Sequence, residues 1–419
     1  MKLVSKLALG VTLALGVSGL ALVSPAVAQK NKKEEAAKQP EAYQPKLGAK
    51  FRKPYGEAAK ALGAKDYAAA AAALPAMDEA ASTPDEKYAT AQVRLMIGSN
   101  TKDEAMQKRA VNDFVAANVG PADDLAKMNF YKGNFAYKDK DYATAITALT
   151  AAEAGGFKEA DVYLLLAESY FNSKQVPQGL AQVERAIASD KAAGKTPPQD
   201  WYSRAASVSY REKSQPEAMK WTRMLVEAYP TAENWRSALV VYRDGSNLDN
   251  ATTLDLFRLM RLTKSLGSER DYYEYAQNAS ERGLPGEAKA VVDEGRALAV
   301  FDGTNRALAD VLSAANARIA GDKASLVGAD KQAAAAKDGK VAMGTADAYL
   351  GYGEDAKAVE MYRLALEKGG VDANVANTRL GIALARSGQA DAARTAFQAV
   401  TGPRAELAQF WMLWLNQRG

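Results

Sequence analysis

The 419-residue chain contains no cysteine and no histidine. The first absence excludes disulfides, thiolate nucleophiles and lipid acylation on a thiol. The second removes the commonest general base and, with the first, the usual zinc ligands. Proline is scarce at 14 residues, so long helical runs stay unbroken. Aromatics make up only 8%, and 19 of them are Tyr against 10 Phe, which suits rings that reach a solvated rim. Neither sign of charge dominates. Lys and Arg number 54 and Asp and Glu 50, so no strong field draws in nucleic acid or anionic lipid, and neither is an expected partner. What is present in quantity is apolar material, 48% of the chain, ample for a buried core.

The N-terminus reads as an export signal. Lys2 and Lys6 form a basic start, and Leu7 to Val23 is apolar but interrupted by Gly10, Gly16 and Gly19. Pro25 then precedes Ala26-Val27-Ala28, a small-x-small cleavage pattern. Cleavage is expected after Ala28, with residues 1–28 removed and the mature chain beginning at Gln29 in the periplasm. That loss leaves 52 basic against 50 acidic residues. No second apolar run of spanning length follows, so no transmembrane segment is expected after cleavage. Residues 29–50 are polar, charged and carry Pro40 and Pro45, which predicts a flexible leader.

From Phe51 onward a helical pattern recurs. Its clearest stretch is Lys340 to Gly402, where two successive copies place Ala346, Tyr349, Ala358, Tyr362 and Ala365 against Gly381, Leu384, Ala393, Phe397 and Val400, each offset by 35. Small residues let two helices approach, and the large ones fill the space beside them. Asp66-Tyr67 before Ala70 and Asp141-Tyr142 before Ala145 mark the second helix of two further units. Tracking this small anchor gives Ala70, Ala105, Ala145, Gly179, Ala218, Ala251, Ala288, Ala324, Ala358 and Ala393, at steps of 33 to 40. The two longest steps contain Val119-Gly120-Pro121 and the loop Ala193 to Pro198, both turn chemistry. The copies at Ala105 and Ala324 are placed by spacing alone, and the Ala251 copy keeps Trp235, Leu239 and Tyr242 but loosens afterwards. This arrangement resembles the tetratricopeptide repeat family, a 34-residue motif of paired antiparallel helices. The resemblance implies an all-α solenoid of about ten such pairs over residues 51–403, followed by a capping helix over 404–419.

Motifs that might carry chemistry fit the repeat better. Gly351-Tyr352-Gly353-Glu354-Asp355-Ala356 nearly matches a dinucleotide fingerprint, but it lies between two helices of the clearest repeat, where a turn is required. No phosphate-binding loop occurs, and no cofactor or metal is expected. The acidic pairs Asp78-Glu79, Asp85-Glu86 and Asp123-Asp124 diverge by about 100° on a helix, so neither pair member can share a bond with its neighbour. Two of them follow Pro84 and Pro121 and read as helix starts. An enzyme is not expected.

In the family, the first helix of each unit lines a concave groove. In register, that implies binding positions at Phe130, Asn134, Tyr137 and Lys138, then at Leu164, Glu168, Phe171 and Asn172. Ser203, Arg204, Ser207, Tyr210 and Arg211 follow, with Arg236, Val240 and Arg243 after them. Rings beside amides suit an extended peptide, and Arg204, Arg211, Arg236 and Arg243 are placed to receive carboxylates. Phe130 stands where chaperone-clamping relatives carry a Lys, so that partner is not implied. In the last helix, Leu407, Phe410, Trp411 and Trp414 share one face that suits capping. Met412 and Leu415 point elsewhere, which marks Trp411, Met412, Trp414 and Leu415 as an interface for a partner or a second copy. The expected function is a non-enzymatic periplasmic scaffold that binds an envelope protein or peptide. The alternative is a glycan-binding or polysaccharide-export accessory, since the same rings stack on sugars.

Overall fold

The computed structural model describes residues 43–302 and 304–418, so the expected export signal and most of the expected leader lie outside the described residues. Among those residues there are twenty-one α-helices, one 3-10 turn and no strand. Taken two by two in chain order the helices make ten successive pairs and a final single helix, and eight of the ten pack as hairpins. The pairs are α1 (Ala49–Gly63) with α2 (Tyr67–Ala80), α3 (Pro84–Thr101) with α4 (Glu104–Ala117), α5 (Ala122–Lys138) with α6 (Tyr142–Ala154), and α7 (Ala160–Asn172) with α8 (Val176–Ala192). Then come α9 (Gln199–Arg211) with α10 (Gln215–Ala228), α11 (Ala232–Gly245) with α12 (Asn250–Leu262), and α13 (Glu269–Glu281) with α14 (Pro285–Ala297). Last are α15 (Arg306–Ser325) with α16 (Ala329–Ala335), α17 (Lys340–Tyr352) with α18 (Asp355–Lys368), α19 (Ala373–Arg386) with α20 (Ala390–Gln398), and α21 (Ala405–Asn416). The expected all-α solenoid of helix pairs is what the chain forms.

The turn chemistry explains the pairing. Nine of the ten intra-pair turns hold a residue in the left-handed region: Lys65, Lys102, Lys140, Lys174 and Lys213 in the first five, then Gly283, Gly328, Gly353 and Gly388. A left-handed residue just past a helix end lets the chain reverse while satisfying the last carbonyls. The next helix starts at once, because Asp66, Asp103 and Asp141 each accept the backbone amide three residues on, at 2.9, 2.9 and 3.1 Å. Gly353 sits at one such turn, so the apparent dinucleotide fingerprint is a hairpin bend.

Small-against-large packing is visible at two glycines. A Cβ on Gly133 would lie 2.5 Å from Leu149, and one on Gly381 would lie 2.5 Å from Phe397. Seven of the ten anchors are buried, among them Ala70, Ala145, Ala358 and Ala393. Ala105 and Ala324 are exposed, however, and Ala251 is half-buried. In the second pair the anchor place, four residues after the cap Asp103, belongs to Gln107, whose amide donates to the Gly98 carbonyl at 2.8 Å. A search for small residues passes over a glutamine. In the eighth place α15 buries only Leu308, Val311 and Ala315 of its 20 residues and packs on α13 and α14, while α16 packs on α17 and α18, so the two form no hairpin with each other.

The chain divides into two units, one ending at Pro197 and the next beginning at Pro198, inside the Pro-rich loop noted above. In the first unit the expected flexible leader is corrected over its last residues. The Tyr43 hydroxyl donates to Asp85, the Lys46 amide donates to Asp85 at 3.0 Å, and the Gly48 amide donates to Glu86 at 3.0 Å. Asp85 and Glu86 thus hold a strap as well as a helix start. Burial favours protonated Glu86, but donation from the Ser82, Gly48 and Thr83 amides outweighs it and draws its carboxyl down to about 2. Arg94, buried on α3, is held by Asp78 at 2.5 Å and by Asp113. Asp78 of the first acidic pair is therefore structural.

The second unit closes on itself. From Leu254 to Met260 every residue of α12 is buried, including Asp255 and Arg258. A helix buried all round cannot be the second arm of a two-sided hairpin, which is why the repeat pattern loosens after Tyr242. Asp255 accepts from Arg258 at 2.7 Å, from Arg404 at 2.7 Å and from Arg379 at 3.4 Å. Arg258 also forks onto Glu287 at 2.8 and 2.6 Å, and Tyr275 donates to the same carboxylate at 2.7 Å. Arg379 continues to Asp347 at 2.6 Å, which also accepts from Tyr362 at 2.6 Å. Burial pushes the Asp255 carboxyl up, but the guanidinium groups of Arg379, Arg258 and Arg404 overcome it and bring it to about 2. This network ties α12 to α14, α17, α19 and the turn before α21.

Candidate binding surfaces

The first-helix positions of the first unit are mostly committed to packing. Phe130 and Asn134, expected to face outward, are 5% and 1% exposed. The Phe130 ring lies 5.1 Å from Phe157 and 5.7 Å from Tyr131, so it belongs to the core between α5 and α7. The Asn134 Oδ1 is buried with no hydrogen-bond partner among the described residues. Tyr137 is half-buried with its ring 5.8 Å from Tyr142, and the exposed Lys138 ammonium lies 5.6 Å from the centre of the Phe135 ring. Phe171 leans over Gly179, where a Cβ would come within 2.4 Å of the ring. Leu164 and Glu168 are half-buried, and Asn172 is exposed, donating to the Glu168 carbonyl at 2.7 Å. Lys138 and Asn172 are the two positions of this set that stand open.

A surface not read from the sequence lies nearby. A shallow cavity of about 420 Å³ is lined by Val115 of α4, Asn129 and Lys132 of α5, and Ala143, Thr144, Thr147, Ala148 and Ala151 of α6. The available signal was the run Tyr142 to Ala154, whose exposed positions Ala143, Thr147 and Ala151 carry nothing large.

In the second unit the four arginines do not form one open cluster, and that expectation is corrected. Arg236 donates to the Ser265 carbonyl at 3.0 Å and pairs with Asp271 at 2.5 Å. Arg243 lies 3.8 Å from Asp271, 3.6 Å from Glu274 and 3.1 Å from Asp244. Both therefore pin α11 to α13. Burial raises the Asp271 carboxyl, but hydrogen bonds from Arg236, Ser268 and the Gly267 amide prevail and hold it below the usual carboxylate range. On α9 the picture differs. Ser207 and Arg211 are exposed, Tyr210 is 64% exposed, and Ser203 and Arg204 are half-buried. These residues make one continuous stripe along α9.

The apolar excess of α21 is also accounted for. Trp411, Trp414 and Leu415 are buried and Met412 is half-buried, so this set is not an open interface. Trp411 stacks on Phe397 at 5.8 Å, and Phe410 lies 5.6 Å from Tyr242 and 6.4 Å from Trp235. The helix does cover the last pair, as a cap would, and it also reaches back to α10, α11 and α12.

Among the described residues no group of three or more Asp or Glu side chains is placed to hold a metal ion, and no helix is long and apolar enough to cross a membrane. Scans against protein-family models and against curated protein sequences match nothing. Among solved structures, the chain is similar to MamA 41-end from Desulfovibrio magneticus RS-1, at 17% identity over 44% of this chain and 97% of that one, with a TM-score of 0.29. It is similar to Pseudomonas aeruginosa pilF at 13% identity, over 71% of this chain and 99% of that one, with a TM-score of 0.21. A tetratricopeptide repeat protein from Parabacteroides merdae is similar at 10% identity over 88% and 100%, with a TM-score of 0.20. The fold rests on the hairpins themselves: with successive helix hairpins and a final helix among the described residues, this chain is an α-helical repeat protein.

Proposed function

We propose that the chain is a non-enzymatic scaffold, exported to the periplasm, that holds an envelope protein or peptide on the first helices of its pairs. The observation that carries this reading is the α9 stripe, where Tyr210 and Arg211 project from a rigid helix without being used by the fold. A large ring beside a guanidinium is the residue chemistry that dominates peptide and protein interfaces. Rigid first helices present such groups with little ordering cost. The basic and apolar N-terminus followed by Ala26-Val27-Ala28 supports export.

The test is photo-crosslinking from position 207, an exposed place on the same stripe, in the exported chain, with Tyr210→Ala combined with Arg211→Glu as control. A defined envelope protein should be trapped, and the double substitution should lower capture about tenfold. Undiminished capture by the double variant removes α9 as the surface. Retention on peptidoglycan or exopolysaccharide with no protein trapped would instead favour the glycan-binding reading.

A further inference from the structure

The place of α21 in the second unit is that of a ligand as much as of a cap. In a regular hairpin the large residues of the first helix pack on the second helix of the same pair. Trp235 and Tyr242 of α11 instead meet Phe410 of α21, while α12 lies buried all round among other helices. The polar contacts sit at both ends of the helix. Arg223 of α10 donates to Glu406 at 3.1 Å and to Gln409 at 2.8 Å. At the other end the Trp235 indole donates to Gln417 at 3.2 Å, and the Gln417 amide donates to the Val226 carbonyl at 2.9 Å. Between these ends the Tyr242 hydroxyl is buried with no hydrogen-bond partner among the described residues.

We propose that α10, α11 and α12, with α20 beside them, form a helix-accepting slot that α21 fills in cis, and that an amphipathic helix of the same chemistry from another polypeptide takes this slot when α21 leaves. The partner is defined by what α21 offers. It carries aromatic residues spaced as Phe410, Trp411 and Trp414 are, a carboxylate in its first turn to meet Arg223, and an amide near its end to meet Trp235 and the Val226 carbonyl. Departure runs through the bend at Gly402, which holds φ +64. The seal on that bend is the Arg404 pair with Asp255 at 2.7 Å. This inference deepens the scaffold reading by naming a second, gated surface, but it does not use the α9 stripe, so each fails on its own evidence.

The experiment uses the full chain and a fluorescently labelled synthetic peptide of residues 402–419. The chain carrying Phe410→Ala and Trp414→Ala should bind the peptide saturably at one to one, while the unmodified chain should bind at least ~10-fold more weakly. A peptide with the same two alanines should not bind either chain. No binding by a double variant that keeps its helical circular dichroism would overturn the slot. Should that variant unfold, hydrogen exchange on the unmodified chain decides. The proposal requires α21 amides to exchange before those of α17 and α18, and exchange of all three only together would overturn it.

Discussion

Asp255 is the residue on which the second unit closes, and replacing it tests that account most directly. Asp255→Asn keeps the shape of the side chain but leaves Arg258, Arg379 and Arg404 buried without their shared anion. Removing one partner of a buried ion pair costs about 3–5 kcal/mol, because the remaining charge stays desolvated and unpaired. The electrostatic part can be worked separately. The carboxyl titrates at about 2 in the fold against an ordinary value of 3.8, a gap worth about 2.5 kcal/mol at neutral pH. Because the folded value is the lower one, this stabilisation is complete above the ordinary carboxylate range and is lost as pH falls toward 2. All five tryptophans, Trp201, Trp221, Trp235, Trp411 and Trp414, lie in the second unit, so intrinsic fluorescence during urea unfolding reports that unit alone. The expected result is a midpoint shift equivalent to about 3–5 kcal/mol for Asp255→Asn at pH 7, with an unchanged slope. The gap between wild type and variant should then narrow by about 1.5 kcal/mol between pH 5 and 2.5. A loss below about 1 kcal/mol, or a difference independent of pH, would refute the reasoning.

Two further outcomes concern the hairpins. Lys140 holds a left-handed backbone at φ 62, so Lys140→Gly should raise the stability of the first unit by about 1 kcal/mol, read by circular dichroism on heating, while Lys140→Val should lower it. Gly339 precedes α17 where a Cβ would lie 2.2 Å from the Ala365 carbonyl oxygen, a backbone atom that cannot swing aside. Gly339→Ala should therefore cost about 2 kcal/mol or more in urea unfolding followed by tryptophan fluorescence, against near neutrality for Gly344→Ala, whose added methyl meets nothing.

The repeat architecture was legible because it is written in local terms. Small anchors such as Ala145 and Ala358, and the turns at Lys140 and Gly353, depend on residues within one hairpin. Gln107 was missed because it does an anchor's work with a hydrogen bond rather than with a small side chain. Arg236 and Arg243 looked available because their partners, Asp271 and Glu274, belong to the next pair, about 30 residues on. The family register put Phe130 on the surface because the register cannot see Phe157 arriving from the loop before α7. Least visible was the second unit's closure, since nothing local to Asp255 announces Arg379 or Arg404.

That closure has a consequence for how the chain is made. Hairpins in the first unit join residues a few tens of positions apart and can settle while later sequence is still emerging. The bonds from Arg223 to Glu406 and from Gln417 to Val226 span 183 and 191 residues, so they wait until α21 has been made. At about 5–20 residues per second, the aromatic side of α11 stands uncovered for roughly ten seconds or more during synthesis. The second unit is thus the slow, aggregation-exposed half, and its burden on chaperones should track the integrity of α21.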